Sequence, residues 1–198
     1  MKAVLRPACA EDAAAICRIY APYVENTSVT FEEVVPAEAE MADRIRKIGS
    51  QLPFLVCENE ERVVGYAYAA DHRSRAAYRW TKEASVYVDP QFRNRRIGQA
   101  LYTALATLLV AQGVTTLLAG ITLPNPESVG FHENFGFLKI AEYHAVGYKL
   151  EKWHNVGWWE LNLNPGLLPP RNTLVPFGEI ESAVLQNAFR VANQMILL

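Results

Sequence analysis

Disulfide chemistry is the first thing this sequence lacks. Its three cysteines, Cys9, Cys17 and Cys57, are odd in number and show no Cys-x-x-Cys spacing. That argues against a disulfide framework or a zinc site and for a reducing compartment, so a cytoplasmic protein with no bound metal is expected. Long hydrophobic runs are also missing. The longest, about Ala104 to Ala111, is too short to span a bilayer, and the N-terminal stretch reaches Arg6, Glu11 and Asp12 without an apolar core of signal-peptide length. No membrane association is expected. Neither sign of charge is in excess: 19 Lys and Arg stand against 21 Asp and Glu, for a formal net charge of −2. Such a balance gives no bulk attraction for nucleic acid or an anionic membrane, so any basic site must be local. Repeats and low-complexity segments are absent.

What is present is a core. With 198 residues, 51% of them hydrophobic, the chain can bury one core and is short for two. Lys2 to Arg6 reads as a short strand. Pro7 and the acidic Glu11-Asp12 then introduce a helix with Ala15, Ile16, Ile19 and Tyr20 on one face, ending near Pro22. A second helix is expected from about Ala37 to Ile48, with Gly49 as its stop. Phe54 to Cys57 and Val63 to Ala70 flank a polar turn and read as a hairpin, with Thr81 to Val88 as the next strand. Leu101, Leu105, Leu108 and Leu109 mark a helix closed by Gly113, and Thr116 to Thr122 a buried strand. After the break at Leu123-Pro124-Asn125-Pro126 comes a short helix to about Phe135, closed by Gly136. Two aromatic-rich strands follow, about Phe137 to Lys149 and Val156 to Leu163. From Asn164 the prolines argue for an extended arm, and Glu179 to Leu198 reads as an amphipathic helix that must bury its stripe on its own domain or on a partner. Residues 1–163 are thus expected to form the main domain and 164–198 an arm with a terminal helix.

The stretch Glu83 to Leu101 carries the chemistry. A β-type run, Ser85-Val86-Tyr87-Val88, breaks at Asp89-Pro90, passes through a loop holding Arg93, Arg95 and Arg96, and enters a helix at Ile97-Gly98. A helix N-terminus offers free N–H groups and partial positive charge, and the arginines crowd the same entrance, so phosphate or pyrophosphate would be held there. The Gly-Lys-Ser/Thr ending of a nucleoside-triphosphate loop is missing, and so are the glycines of a dinucleotide fingerprint apart from Gly98.

Arg93-Asn94-Arg95-Arg96-Ile97-Gly98 after Val86-Tyr87-Val88 resembles the acetyl-coenzyme A loop of the Gcn5-related N-acetyltransferase (GNAT) superfamily, whose pattern is Arg/Gln-x-x-Gly-x-Gly/Ala. Arg96 stands where the first glycine of that pattern belongs. Further segments are similar to the phosphinothricin acetyltransferase branch. They include Arg6-Pro7-Ala8, Ile19 to Val24, Thr27 to Phe31, Gly65 to Ala69, Tyr78 to Thr81, Leu123 to Pro126, Ser128-Val129 and Trp153 to Gly157, matching in order and spacing over about the first 163 residues. The resemblance implies an α+β fold, with a mixed, mostly antiparallel sheet splayed at the cofactor strand and flanked by helices. It also implies acetyl transfer from acetyl-CoA to the amino group of a small amino-acid-like acceptor of the phosphinothricin or methionine sulfoximine/sulfone type, by a homodimer and without a metal. Alternatives are acetylation of a protein or peptide N-terminus by the same fold, since a fold does not fix its acceptor, or a non-catalytic CoA-binding module.

The resemblance assigns Glu83 and His132 to catalysis, as base and acid in an order left open. His132 lies seven residues after Asn125, about two helical turns, so the two share a face. Val86, Tyr87, Val88, Arg93, Arg95, Arg96, Gly98, Gln99, Asn125 and Ser128 are expected to hold acetyl-CoA, and Phe31, Arg73, Arg75 and Tyr78 the acceptor. A bidentate cation suits an acceptor with a second acid group. In Trp153-His154-Asn155-Val156, Asn155 replaces the family's acid. His72 and His144 are read as structural.

Overall fold

The computed structural model describes residues 3–166, 168–170 and 172–197. Lys2 at the expected first strand, Arg171 in the proline-rich arm and Leu198 at the end of the expected last helix lie outside the described residues.

Seven strands form one sheet: β1 (Val4–Pro7), β2 (Phe54–Asn59), β3 (Arg62–Asp71), β4 (Thr81–Val88), β5 (Thr116–Leu123), β6 (Leu138–Lys149) and β7 (Lys152–Asn162). Their order is β1-β2-β3-β4-β5-β7-β6. Every neighbouring pair is antiparallel except β4 and β5, which run parallel and pair only at Thr81↔Thr116, Lys82↔Leu117 and Glu83↔Leu118. Beyond Glu83 the two strands part. Ala84 to Val88 therefore keeps β3 on one side and leaves its other edge to the gap.

The helices are α1 (Ala13–Asn26), α2 (Glu38–Gly49), α3 (Ile97–Gln112), α4 (Pro126–Phe135) and α5 (Ser182–Asn193). Leu101, Leu105, Leu108 and Leu109 of α3 are fully buried against Val64, Ala67, Ala69 and Leu117 of the sheet. On the other face Ile16, Ile19 and Tyr20 of α1 and Met41 and Ile45 of α2 cover Phe54, Val56 and Tyr66. Each large aliphatic buried this way contributes about 1.5–3 kcal/mol. Gly113 and Gly136 close α3 and α4 in the left-handed conformation, φ 97° and 109°, as their positions in the sequence predict.

Three elements have boundaries more than two residues from those expected. Helix α1 continues past Pro22 to Asn26. Proline costs one backbone hydrogen bond there, but stopping would expose Val24, which is buried, and free Tyr23, whose ring packs edge-on against Tyr87 at 5.2 Å. Strand β7 begins at Lys152, ahead of Val156, because Leu150 and Glu151 make a tight turn with φ 52° and 60° that lets Trp153 and His154 pair with β6. The last helix starts at Ser182 and stops at Asn193, preceded by a single 3-10 turn at Phe177–Glu179.

That terminal segment lies on its own chain. Ala188 and Ala192 are buried in the α3 core, with Leu174, Phe177, Leu185, Phe189, Met195 and Ile196 packed around them. Asn193 Oδ1 accepts from Leu5 N at 2.8 Å, Gln112 Nε2 donates to Val175 O at 2.6 Å, and Leu197 N donates to Arg95 O at 3.0 Å. The apolar stripe of the tail is therefore covered in cis except at Val191, which is exposed.

Candidate active site

The site grows out of the way β4 ends. Asp89 Oδ1 accepts from Gln91 N at 3.0 Å and Oδ2 pairs with Arg62 at 2.7 Å, which turns the chain out of the sheet at Pro90. A 3-10 turn leads into the basic loop, where Asn94 and Arg96 take φ 61° and 59°. Arg96 is the N-cap of α3, and no side chain caps that helix. The first N–H groups of α3 are thus left without a side-chain acceptor at the mouth of the β4–β5 gap, the condition under which a helix end binds an anion. The left-handed conformation explains why glycine suits the position of Arg96; arginine holds it at a cost of about 1–2 kcal/mol.

The gap is a cavity of about 820 Å³. Val86, Tyr87 and Val88 form its β4 wall, and Arg93, Arg96, Gly98 and Gln99 its basic end. Asn125, Ser128 and His132 of α4 lie opposite, with Gly120 to Thr122 of β5. An added Cβ at Gly98 would come within 3.3 Å of the Phe131 ring, so a side chain there would require that ring to give way slightly. The expected Arg95 stands apart, its guanidinium over the Phe92 ring at 5.1 Å. Asn125 Oδ1 caps α4 by accepting from Ser128 N at 3.1 Å.

Outside the cavity lining and two residues before Ser85, Glu83 occupies the last paired rung before the strands part, and its Oε1 lies 2.7 Å from His72 Nδ1. Tyr78 packs edge-on to the His72 ring at 6.0 Å and Trp158 does so at 5.8 Å.

A model of the acetyltransferase (GNAT) domain matches residues 5–158. The chain belongs to the GNAT acetyltransferase family. It is 39% identical over 156 residues to a phosphinothricin N-acetyltransferase of Streptomyces viridochromogenes, covering 79% of this chain and 85% of that protein. It is 32% identical over 170 residues to an L-methionine sulfoximine/L-methionine sulfone acetyltransferase of Pseudomonas aeruginosa, covering 83% and 97%. Among solved structures, a phosphinothricin acetyltransferase from Sinorhizobium meliloti in complex with AcCoA superposes with a TM-score of 0.83 at 35% identity, covering 92% of this chain and all (100%) of that one. The GNAT fold expected from the sequence, α+β with a mixed sheet parted at β4, is the fold observed.

Within this GNAT domain His132 is 5% exposed. Its Nδ1 lies 2.7 Å from Ser128 O, a carbonyl that can only accept, so Nδ1 carries the proton and Nε2 accepts from Tyr102 Oη at 3.1 Å. Burial pushes the imidazole below its ordinary pKa, the bond to Ser128 offsetting part of the shift. His132 thus borders the cavity as a neutral ring with both nitrogens engaged, its protonated side next to Ser128. Arg73, Arg75 and Tyr78 are exposed and lie outside the cavity lining, as do Phe31 and Glu83, and Tyr78 packs on the His72 ring.

Two residues to which the sequence reading gives no functional role matter here. His72, read as structural, touches Glu83; the register Asp71↔Lys82 of the β3–β4 hairpin was the signal that could have placed them side by side. Lys149, 6% exposed at the end of β6, donates to Val24 O at 2.6 Å, Thr30 O at 2.8 Å and Glu32 O at 2.7 Å. It ties down the loop that carries Val29, which lines the cavity, and Phe31, whose ring lies over Gly147. Nothing in the sequence pattern singles it out. Asn155 bridges the bulge of the β6–β7 hairpin, accepting from Ala145 N at 2.9 Å and donating to Glu142 Oε1 at 2.8 Å.

Proposed function

We propose that the protein transfers an acetyl group from acetyl-CoA to the amino group of a small amino-acid-like acceptor, of the phosphinothricin or methionine sulfoximine/sulfone kind. One observation carries this reading: the parted β4 and β5 enclose a cavity with an uncapped helix N-terminus and arginines at its basic end, and Glu83 holds the rung at which the two strands part. The residues present fit the cosubstrate. The α3 N–H groups with Arg93 and Arg96 suit a pyrophosphate, the gap suits an extended thioester arm, and the β4 edge beyond Glu83 is free of β5 to hydrogen-bond it. When bound, acetyl-CoA supplies the activated acyl group.

The chain's own residues then have three tasks. Backbone N–H groups near Val86 and Tyr87 stabilise charge developing on the carbonyl oxygen. Glu83 serves the loss of a proton from the acceptor amine, and His132, with its Nδ1 proton beside Ser128, is the proposed source for the leaving thiolate. Phe31 and Tyr78, with one of Arg73 and Arg75 folding inward onto a bound acid group, are proposed to contact the acceptor. The test is thiol release from acetyl-CoA across free amino acids, phosphinothricin, methionine sulfoximine, methionine sulfone and short peptides. Release with the peptides alone overturns the acceptor class, and release with none overturns the activity.

The same reading places the enzyme in the cytoplasm, where Cys9, Cys17 and Cys57 stay free, and makes it a homodimer. With the tail covered in cis, the apolar surface that supports a dimer is the β6–β7 hairpin at the sheet edge, where Leu138, Ile140, Val146, Tyr148 and Trp153 are 52–73% exposed. Trp153→Asp is expected to shift the mass measured by light scattering from two chains to one; an unchanged mass for a wild-type dimer removes this hairpin from the interface. Residues 1–163 are read as the catalytic domain and 164–198 as an arm that covers it.

A further inference from the structure

The histidine beside Glu83 has the geometry of a base. The Glu83 carboxylate can only accept a hydrogen bond, so at 2.7 Å His72 Nδ1 carries the proton and donates it, which leaves the lone pair of the neutral ring on Nε2. Nε2 has no hydrogen-bond partner among the described residues. The ring is held by two edge-on contacts, to Tyr78 and Trp158, and its side chain is 16% exposed against 36% for Glu83. A carboxylate that fixes the tautomer of an imidazole and then balances the imidazolium is the arrangement that lets histidine take protons in hydrolase triads.

The pair also stands in the right place. Glu83 is the last paired residue before the cavity opens, and Ser85, two residues on and on the same face, lines that cavity. Trp158 lies against Gly120, also a lining residue, where an added Cβ would meet the indole at 3.3 Å.

We propose that His72, and not the carboxylate of Glu83, takes the proton from the acceptor's ammonium group, with Glu83 orienting the ring and balancing its charge. This rests on the acetyltransferase reading above. An N–H bond of the ammonium breaks and its proton joins His72 Nε2. The freed nitrogen lone pair attacks the thioester carbonyl carbon; a C–N bond forms and the C–S bond breaks, its electron pair leaving on sulfur. His132 gives its proton to the thiolate and is restored by the second nitrogen proton, while the His72 imidazolium returns the first to solvent. One acetamide, one thiol and one released proton result.

The test uses the full chain and three variants, with acetyl-CoA affinity and melting temperature measured alongside turnover. His72→Phe keeps a ring between Tyr78 and Trp158 but has no nitrogen; kcat is expected to fall about 10²-fold with acetyl-CoA affinity within about twofold. His72→Ala is expected to fall likewise and to regain activity with added imidazole, which a purely structural role would not allow. Glu83→Gln is expected to fall without such rescue, because the native ring still fills the space. If His72→Phe stays within about threefold while Glu83→Gln loses about 10²-fold, Glu83 is the base: the proposal is overturned and the site stands. Should His72→Phe be unstable, a failure of imidazole to restore any activity to His72→Ala overturns it equally. If neither position affects turnover, the assignment of this end of the cavity to the acceptor fails as well.

Discussion

The two ends of the cavity are built from different materials. At the basic end the binding groups are mostly backbone: the first turn of α3, a loop bent by two left-handed residues and the unpaired edge of β4. At the proposed acceptor end, around the rung where β4 and β5 part, they are side chains drawn from separate parts of the chain and lying behind the cavity lining, with Phe31 before α2, His72 and Tyr78 between β3 and β4, Glu83 in β4 and Trp158 in β7. Backbone groups tolerate changes of side chain, as Arg96 in a glycine-like conformation shows. A side-chain site does not, since each member depends on partners that hold its rotamer. Substitutions should therefore hurt far more at the acceptor end and along α4 than at the cofactor loop.

The largest effect is expected at His132. Replacement by Ala should lower kcat about 10²-fold with acetyl-CoA affinity nearly unchanged, as for a proton moved only in the transition state. The ring also fills space between Tyr102, Phe131 and Phe137, with centroids 5.1–5.4 Å away, so melting temperature must be recorded too. Turnover within about threefold from pH 6 to 9, together with a lowered melting temperature, would make His132 a packing residue and break the link between α4 and the chemistry.

Lys149 tests whether the acceptor wall depends on one side chain. Burial pushes its ammonium below the ordinary lysine value, yet three carbonyls surround it and so favour the charged form. Lys149→Met leaves three carbonyls around a thioether and should cost about 1–3 kcal/mol of stability. Because two of those carbonyls flank Phe31, the acceptor KM should rise about tenfold while the affinity for acetyl-CoA holds. A variant that is less stable but has an unchanged acceptor KM would show that the wall is positioned by Tyr20, Thr30 and the Glu32–Arg44 pair instead.

The same contrast explains what the sequence disclosed. Strand β4, the loop, α3 and α4 occupy one continuous stretch, and their signals are local: β-branched residues, Asp-Pro, arginines, a helical leucine spacing and closing glycines. Those elements appear where expected, with Thr81–Val88 and Pro126–Phe135 at their expected ends. The acceptor end depends on register and on pairs 11 to 125 residues apart, such as His72 with Glu83 and Lys149 with Val24, which no local pattern records. Helix α1 and strand β7 depart from expectation for a related reason: the packing of Tyr23 and Val24 overrides the breaker at Pro22, and the pairing of Trp153 and His154 with β6 follows from cross-strand register. The tail stripe was visible, but the surface it would cover was not.

Arg96→Gly probes the backbone end. Removing the strained arginine should raise stability by about 1 kcal/mol, and removing its guanidinium should weaken the hold on the pyrophosphate. The two effects oppose each other in binding, so the acetyl-CoA Kd measured by calorimetry is expected to change less than about fivefold. A loss of 10²-fold would mean that the Arg96 side chain, rather than the α3 amides, carries the anion, and the proposed division between the two ends would fail.

The smallest effect concerns pH. Burial lowers the His132 pKa in the folded protein, so the native state takes up its proton only below the unfolded value of about 6.5. As pH falls through about 6.5 the unfolded chain binds a proton that the native ring resists, and folding stability drops with it. The slope cannot exceed about 1.4 kcal/mol per pH unit for one proton. Above about 6.5 both states are neutral and the contribution is fully present. His132→Gln lacks this ionisation, so the difference in urea midpoint between variant and wild type should be constant from pH 7 to 8 and shrink toward pH 5. A difference that stays constant down to pH 5 would mean the folded ring ionises as it does in the unfolded chain. The engaged, neutral state on which the α4 side of the site depends would then be wrong.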